Sequence, residues 1–179
     1  MADAPSPIDH VGRLIALRRR ETPDIPLDGM EILSRARRLD QLSRFWIDAV
    51  FEKHSLDTGE FDVLASLQRI GAPYALRPTE LYRSLMITSG GLTDRLNRLT
   101  KKGLVRRVAD PADRRSLIVA LTPVGLRTIR AAYEEDMRVE AELLAPLTPD
   151  ERTSLAALLA KILVELERRR DGPSAKSDG

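Results

Sequence analysis

The sequence predicts a mainly helical chain carrying one small β-hairpin, and three observations support that expectation. Apolar residues recur three and four apart through most of the 179 residues, the spacing that lines one face of a helix. The runs Leu104-Val105-Arg106-Arg107-Val108 and Ser116-Leu117-Ile118-Val119-Ala120-Leu121 flank a polar turn around Asp110-Pro111-Ala112-Asp113, the pattern of a hairpin. The 42% apolar share is spread evenly, too high for a disordered chain, yet no run nears the roughly 18–20 residues of a membrane span. Met1-Ala2-Asp3-Ala4-Pro5 lacks the basic-then-apolar pattern of a secretory signal, so a soluble cytoplasmic protein is expected. With no cysteine, a disulfide frame, a thiol nucleophile and a Cys-ligated zinc are all excluded.

Each element has a local reason. Ser6-Pro7 would cap a first helix, with Ile8, Val11, Leu14 and Ile15 on one face, ending near Glu21 before Pro23 and Pro26. A second helix is expected from Asp28 to Lys53, where Ile32, Leu33, Ala36, Leu39, Trp46 and Val50 recur at helical spacing. Asp57-Thr58-Gly59 caps a third, with Phe61, Leu64, Ala65 and Leu67 apolar, and Gly71-Ala72-Pro73 ends it. Arg77-Pro78-Thr79-Glu80 opens a short helix through Met86, proline occupying a first-turn position where its missing N–H costs nothing. Thr88-Ser89 starts the next helix, and Lys101-Lys102-Gly103 closes it with cations in the last turn and glycine just beyond. After the hairpin, Thr122-Pro123 caps a long helix reaching about Leu144. Thr148-Pro149-Asp150-Glu151 is a capping box for the last helix, with Leu155, Leu158, Leu159, Ile162, Leu163 and Leu166 spaced three and four apart. Asp171 to Gly179 is expected to be a disordered tail.

Charge singles out the middle of the chain. From Arg77 to Leu121 ten basic residues stand against four acids, so this segment carries +6 of a chain whose net charge is +2. A basic island in an otherwise acidic chain is the electrostatic footprint of nucleic-acid contact, although a solvated charged face would look the same. Short helices followed by a hairpin follow the order of a winged helix-turn-helix, whose second helix enters the major groove. At about 100° per residue, Leu92, Leu96 and Leu99 share the core side of the Thr88 helix. Gly90, Asp94, Asn97, Arg98 and Lys101 fall opposite, with Thr93 and Arg95 on the flanks. Asn97 and Arg98 are expected to read bases, because Asn pairs with adenine and Arg with guanine through two hydrogen bonds. Ser89, Gly90, Thr93, Asp94 and Lys101 would complete the recognition-helix contacts, backbone N–H groups at Ser89 and Gly90 offering a phosphate site. On the hairpin Arg106, Asp113, Arg114 and Arg115 are the expected wing contacts, reaching the minor groove or its phosphates. Asp110 and Asp113 would steer a neighbouring arginine as well as form the turn.

The residues from Gly59-Glu60-Phe61-Asp62-Val63-Leu64, through Pro78-Thr79-Glu80-Leu81 and Thr88-Ser89-Gly90-Gly91, resemble the MarR family of transcriptional regulators. The resemblance is strongest at Lys102-Gly103-Leu104-Val105-Arg106-Arg107 and Asp110-Pro111-Ala112-Asp113-Arg114-Arg115, followed by Leu121-Thr122-Pro123-Val124-Gly125. It covers roughly residues 30–168 and implies a dimeric winged-helix DNA binder, usually a repressor that a small anionic or aromatic molecule releases. The fold class implied is mainly α: a winged helix-turn-helix with a small β-hairpin wing, flanked by N- and C-terminal dimerisation helices. The implied organisation is an N-terminal helical extension at 1–27, a dimerisation helix at 28–56, the DNA-binding domain at 57–122, dimerisation helices at 123–170 and the tail at 171–179. The partners implied are double-stranded DNA with a pseudo-palindromic operator, a second copy of the chain and a small anionic effector.

The extra N-terminal helix resembles the urate-responsive subgroup, in which a Trp on that helix, an Asp and two Arg form the effector pocket. These roles fall on Asp62, Arg95 and Arg107, while the Trp position reads Leu17-Arg18-Arg19 and the chain's one Trp, Trp46, lies on the next helix. A carboxylate held by arginine fits such a pocket as well as urate does, and a structural Asp62–Arg95 ion pair is the plain alternative. His10 and His54 are the side chains whose ordinary pKa lies near neutrality. No paired-carboxylate, phosphate-loop, metal-spaced His or nucleophile–base signature points to catalysis, so no cofactor, metal or catalytic residue is expected. An architectural DNA protein without effector control and a helical protein-interaction module remain the competing readings.

Overall fold

A computed structural model describes residues 8–85, 91–110 and 116–172. The elements in chain order are α1 (His10–Glu21), α2 (Asp28–Lys53), α3 (Thr58–Arg69), β1 (Ala75–Leu76), α4 (Pro78–Ser84), α5 (Leu92–Lys101), β2 (Val105–Ala109), β3 (Leu117–Leu121), α6 (Pro123–Leu143) and α7 (Pro149–Asp171). The chain divides into two compact units, Met1–Asp136 and Met137–Gly179. The division falls inside α6, whose first half belongs to the core of the first unit. Ile129 and Ala132 of that half are fully buried.

Local chemistry sets the ends of the elements. Asp9, not the expected Ser6-Pro7 pair, caps α1 by accepting from the Gly12 N–H; Ser6 and Pro7 lie outside the described residues. Val11 and Ile15 are the buried residues of α1, while Ile8 and Leu14 are exposed. Salt bridges Arg35–Asp9 at 2.7 Å and Arg19–Glu31 at 2.6 Å run between α1 and α2 or its cap. Asp57 and Glu60 form a reciprocal capping box on α3. Gly103, at φ +69°, ends α5 in the left-handed region that glycine enters without Cβ strain. The Thr122 hydroxyl accepts from the Gly125 N–H at 2.9 Å and so caps α6. There α6 sits hard against β2's entry: a Cβ on Gly125 would strike the Leu104 carbonyl oxygen. Thr148 and Glu151 form the second capping box, on α7.

Two expectations need correction. The sheet has three strands, not two, in the order β1-β3-β2, with Ala75 opposite Ala120 and Val105 opposite Leu121. Two residues between Pro73 and Pro78 show no period to read, and pairing with β3 alone makes them a strand. Helix α5 begins at Leu92 rather than Thr88, after Gly91 turns the chain at φ +86°; Thr88 itself lies outside the described residues. The core gathers Phe51, Phe61, Leu64, Leu67, Leu81, Leu99 and Val119, with Phe51 stacked on Phe61 at 4.0 Å between ring centres. His54, half-buried, lies 3.0 Å from Glu135 through its Nε2.

Candidate nucleic-acid interface

The α5 wheel holds. Leu92, Leu96 and Leu99 are buried, while Thr93, Asp94, Asn97 and Lys101 are exposed. The periodicity decides this, since leucines four and three apart can all enter one core only if the residues between them face out.

Arg98 departs from the expected arrangement. Its guanidinium lies 2.6 Å from Asp57 and 3.1 Å from Glu60, the two members of the α3 capping box. Lys102 donates to the same Glu60 carboxylate at 2.6 Å and to the Ser55 carbonyl at 2.8 Å. Glu60 is only 1% exposed, and a buried carboxylate is costly unless charged donors meet it. Its hydrogen bond raises the Arg98 pKa further, with burial opposing and Asp57 adding to the effect. Arg95 lies one helical turn before Arg98 and spreads across the α3 backbone at Gly59, where a Cβ would strike its guanidinium stem. Arg95 and Arg98 of α5, with Lys102 at its C-cap, therefore clasp the first turn of α3.

On the wing, Arg106 is exposed. Arg107 donates to Asn97 Oδ1 at 2.7 Å. Strand alternation puts Arg107 on the same face as buried Val105, the face that packs on α5. Arg107 is thus joined to α5, and among the described residues it makes no hydrogen bond or ion pair with Asp62 or Arg95. Asp110 pairs with an arginine, as expected: Arg77 Nε reaches its Oδ2 at 2.6 Å, and Asp110 is buried. That arginine stands immediately before the first residue of α4. Ser89, Gly90, Asp113, Arg114 and Arg115 lie outside the described residues.

Asp62 and Arg95 are brought near each other without an ion pair between them. Among the described residues, Asp62 Oδ2 and Arg95 Nη1 are buried atoms with no hydrogen-bond partner. Burial raises the Asp62 pKa, and the charges of Arg95, Arg69 and Arg44 only partly offset it. An unsatisfied acceptor beside an unsatisfied cationic donor can accommodate a polar guest that bonds both. Trp46, on α2, is half exposed against Phe45 at 5.2 Å.

Sequence reasoning overlooked Glu60, Asp57 and Lys102 as the groups that tie α5 to α3. The signal was present in Asp57-Thr58-Gly59-Glu60, a capping box whose second carboxylate sits among apolar residues.

Known proteins share both sequence and fold with this chain. Residues 54–116 match the family model described as MarR family. Over 160 residues the chain is 37% identical to the HTH-type transcriptional regulator PecS of Dickeya dadantii, covering 89% of this chain and 96% of that protein. It is 36% identical over 105 residues to the multiple antibiotic resistance protein MarR of Salmonella typhimurium, covering 58% and 71% respectively. Among solved structures, a cysteine-to-serine variant of MarR from Escherichia coli complexed with operator DNA superposes with a TM-score of 0.65 at 27% identity, covering 78% of this chain and 99% of that one.

Proposed function

The chain belongs to the MarR family of DNA-binding transcriptional regulators, and from that premise we propose that it acts as a homodimeric repressor released from a pseudo-palindromic operator by a small anionic ligand. The observation that carries this reading is the clasp of α5 on α3. The same first turns of α3 that hold Arg98 and Lys102 also present Asp62 beside Arg95. A guest bonding Asp62 and Arg95 would pull on Arg95 and so on the helix that meets DNA. Such a ligand acts only through different affinities for the DNA-competent and released shapes.

Base reading falls to Asn97, with Thr93, Asp94 and Lys101 around it and Arg106 on the wing; Ser89, Gly90, Asp113, Arg114 and Arg115 keep their proposed DNA contacts. Arg98 serves to set the helix, its fork being engaged by two carboxylates. Effector binding rests on Asp62 and Arg95, while Arg107, expected in the same pocket, bonds Asn97 instead and serves α5. Dimerisation is supported by apolar side chains left exposed on α2, such as Leu33, Leu39 and Phe45, and on α7, such as Leu158, Leu163 and Val164. Patches of that kind mark association surfaces. A two-fold dimer would set its recognition helices about 34–36 Å apart.

The test is a gel-shift titration with the DNA upstream of the protein's own gene against random competitor, repeated with urate, salicylate and citrate. A competitor-resistant complex dissolved by one of these anions supports repression with release. Equal competition by random DNA would favour an architectural protein instead.

A further inference from the structure

We infer that Arg107 is a positioning residue for base reading: by holding Asn97 Oδ1 it makes Asn97 meet the base edges with its N–H donors. The inference rests on the reading of α5 as the recognition helix and deepens it. Arginine has only donors, so the Asn97 atom 2.7 Å from Arg107 Nη2 is the amide oxygen. The two Nδ2 hydrogens then occupy the other side of the same planar amide. A free asparagine can flip this group and offer either edge, so it tolerates donor and acceptor bases alike. Asn97 and Arg107 are both exposed, and the strand alternation that turns Arg107 toward α5 is set by buried Val105. The orientation is therefore available before DNA arrives. Held this way, Asn97 favours an edge made of acceptors, guanine O6 and N7 or thymine O4, over the adjoining donor and acceptor of adenine N6 and N7, which would need the amide oxygen too.

The experiment begins with duplexes selected by the wild-type protein from a random pool. Every single base-pair variant of the consensus is then measured with wild type, Arg107→Ala, Asn97→Ala, the double variant and Arg107→Lys. At one base pair, Arg107→Ala is expected to flatten discrimination about tenfold, at the same pair as Asn97→Ala. The double variant should be no worse than Asn97→Ala alone. Arg107→Lys keeps the charge and should hold random-DNA affinity at the wild-type level, separating field from orientation. Uniform weakening of all duplexes by Arg107→Ala, with the salt slope reduced by about one and full recovery in Arg107→Lys, would make Arg107 a phosphate contact and overturn the inference. Additive effects at different base pairs would overturn it as well. Failure of the wild type to select any consensus would instead overturn the parent reading of sequence-specific binding, and this inference with it.

Discussion

Glu60→Gln is the sharpest test of the clasp between α3 and α5. The Glu60 carboxylate accepts from the Asp57 N–H at 3.0 Å, Arg98 Nε at 3.1 Å and Lys102 Nζ at 2.6 Å while only 1% exposed. Glutamine keeps the shape and one oxygen for the cap, but turns an N–H₂ group toward a cation and removes the negative charge. Hydrogen bonds to a buried charged group contribute about 1.5–3 kcal/mol each. Arg98 and Lys102 retain 48% and 38% side-chain exposure, so water on their far sides compensates for part of the loss. The expected cost is about 2 kcal/mol for Glu60→Gln, and about 3–4 kcal/mol for Glu60→Ala, which also loses the cap and leaves a cavity. Urea unfolding reads this as a lower midpoint at unchanged slope. Specific DNA affinity should fall in parallel, because α5 loses its register on α3. A Glu60→Gln midpoint within about 0.5 kcal/mol of wild type, with operator affinity intact, would refute the clasp as the element that sets the recognition helix.

Other perturbations reach different parts of the molecule. Burial raises the Asp62 pKa, so the folded state binds the proton more tightly than the unfolded chain, and this residue's contribution to stability falls as pH rises from the unfolded value through the raised one. Asp62→Asn should therefore gain stability over wild type at neutral pH, with the gain vanishing in acid; pH-dependent unfolding curves that stay parallel would contradict this. Gly59→Ala should displace Arg95 while sparing the fold, since alanine favours helix; ligand-release titrations should show a shifted midpoint, and an unshifted one would remove Arg95 from the effector path. Gly125→Ala drives a methyl into the Leu104 carbonyl and is expected to cost more than about 2 kcal/mol, visible as a lowered urea midpoint. Leu163→Glu changes a residue already 54% exposed, so the subunit should keep its fold; light scattering should then show monomers, and persistent dimers would clear α7 of the interface.

Much of this was legible in the residues themselves, where chemistry is local. Helix ends follow from caps whose partners lie three residues away, as at Asp57–Glu60, Thr122–Gly125 and Thr148–Glu151. The inward face of α5 follows from leucine spacing, because a helix offers each residue one direction. The hairpin likewise follows from two β-branched runs joined by a short polar turn, and β2 pairs with β3 accordingly.

What escaped sequence reading depends on partners distant along the chain. β1 exists because Ala75 and Leu76 meet Ala120 and Val119, a pairing that two residues cannot announce. Arg98 looked free on the helical wheel, and only the approach of α3, 38 residues earlier, gives its Nε the Glu60 carboxylate. Arg107 joins Asn97 and not Asp62 because strand β2 carries it to the side of α5. The amino-acid order alone determined which faces are apolar and where the side-chain-capped helices α3, α6 and α7 begin, since those forces act within one turn or one strand repeat. Tertiary structure decided which charges meet, because a side-chain cation has several acids within reach of its stem and the packed backbone selects among them.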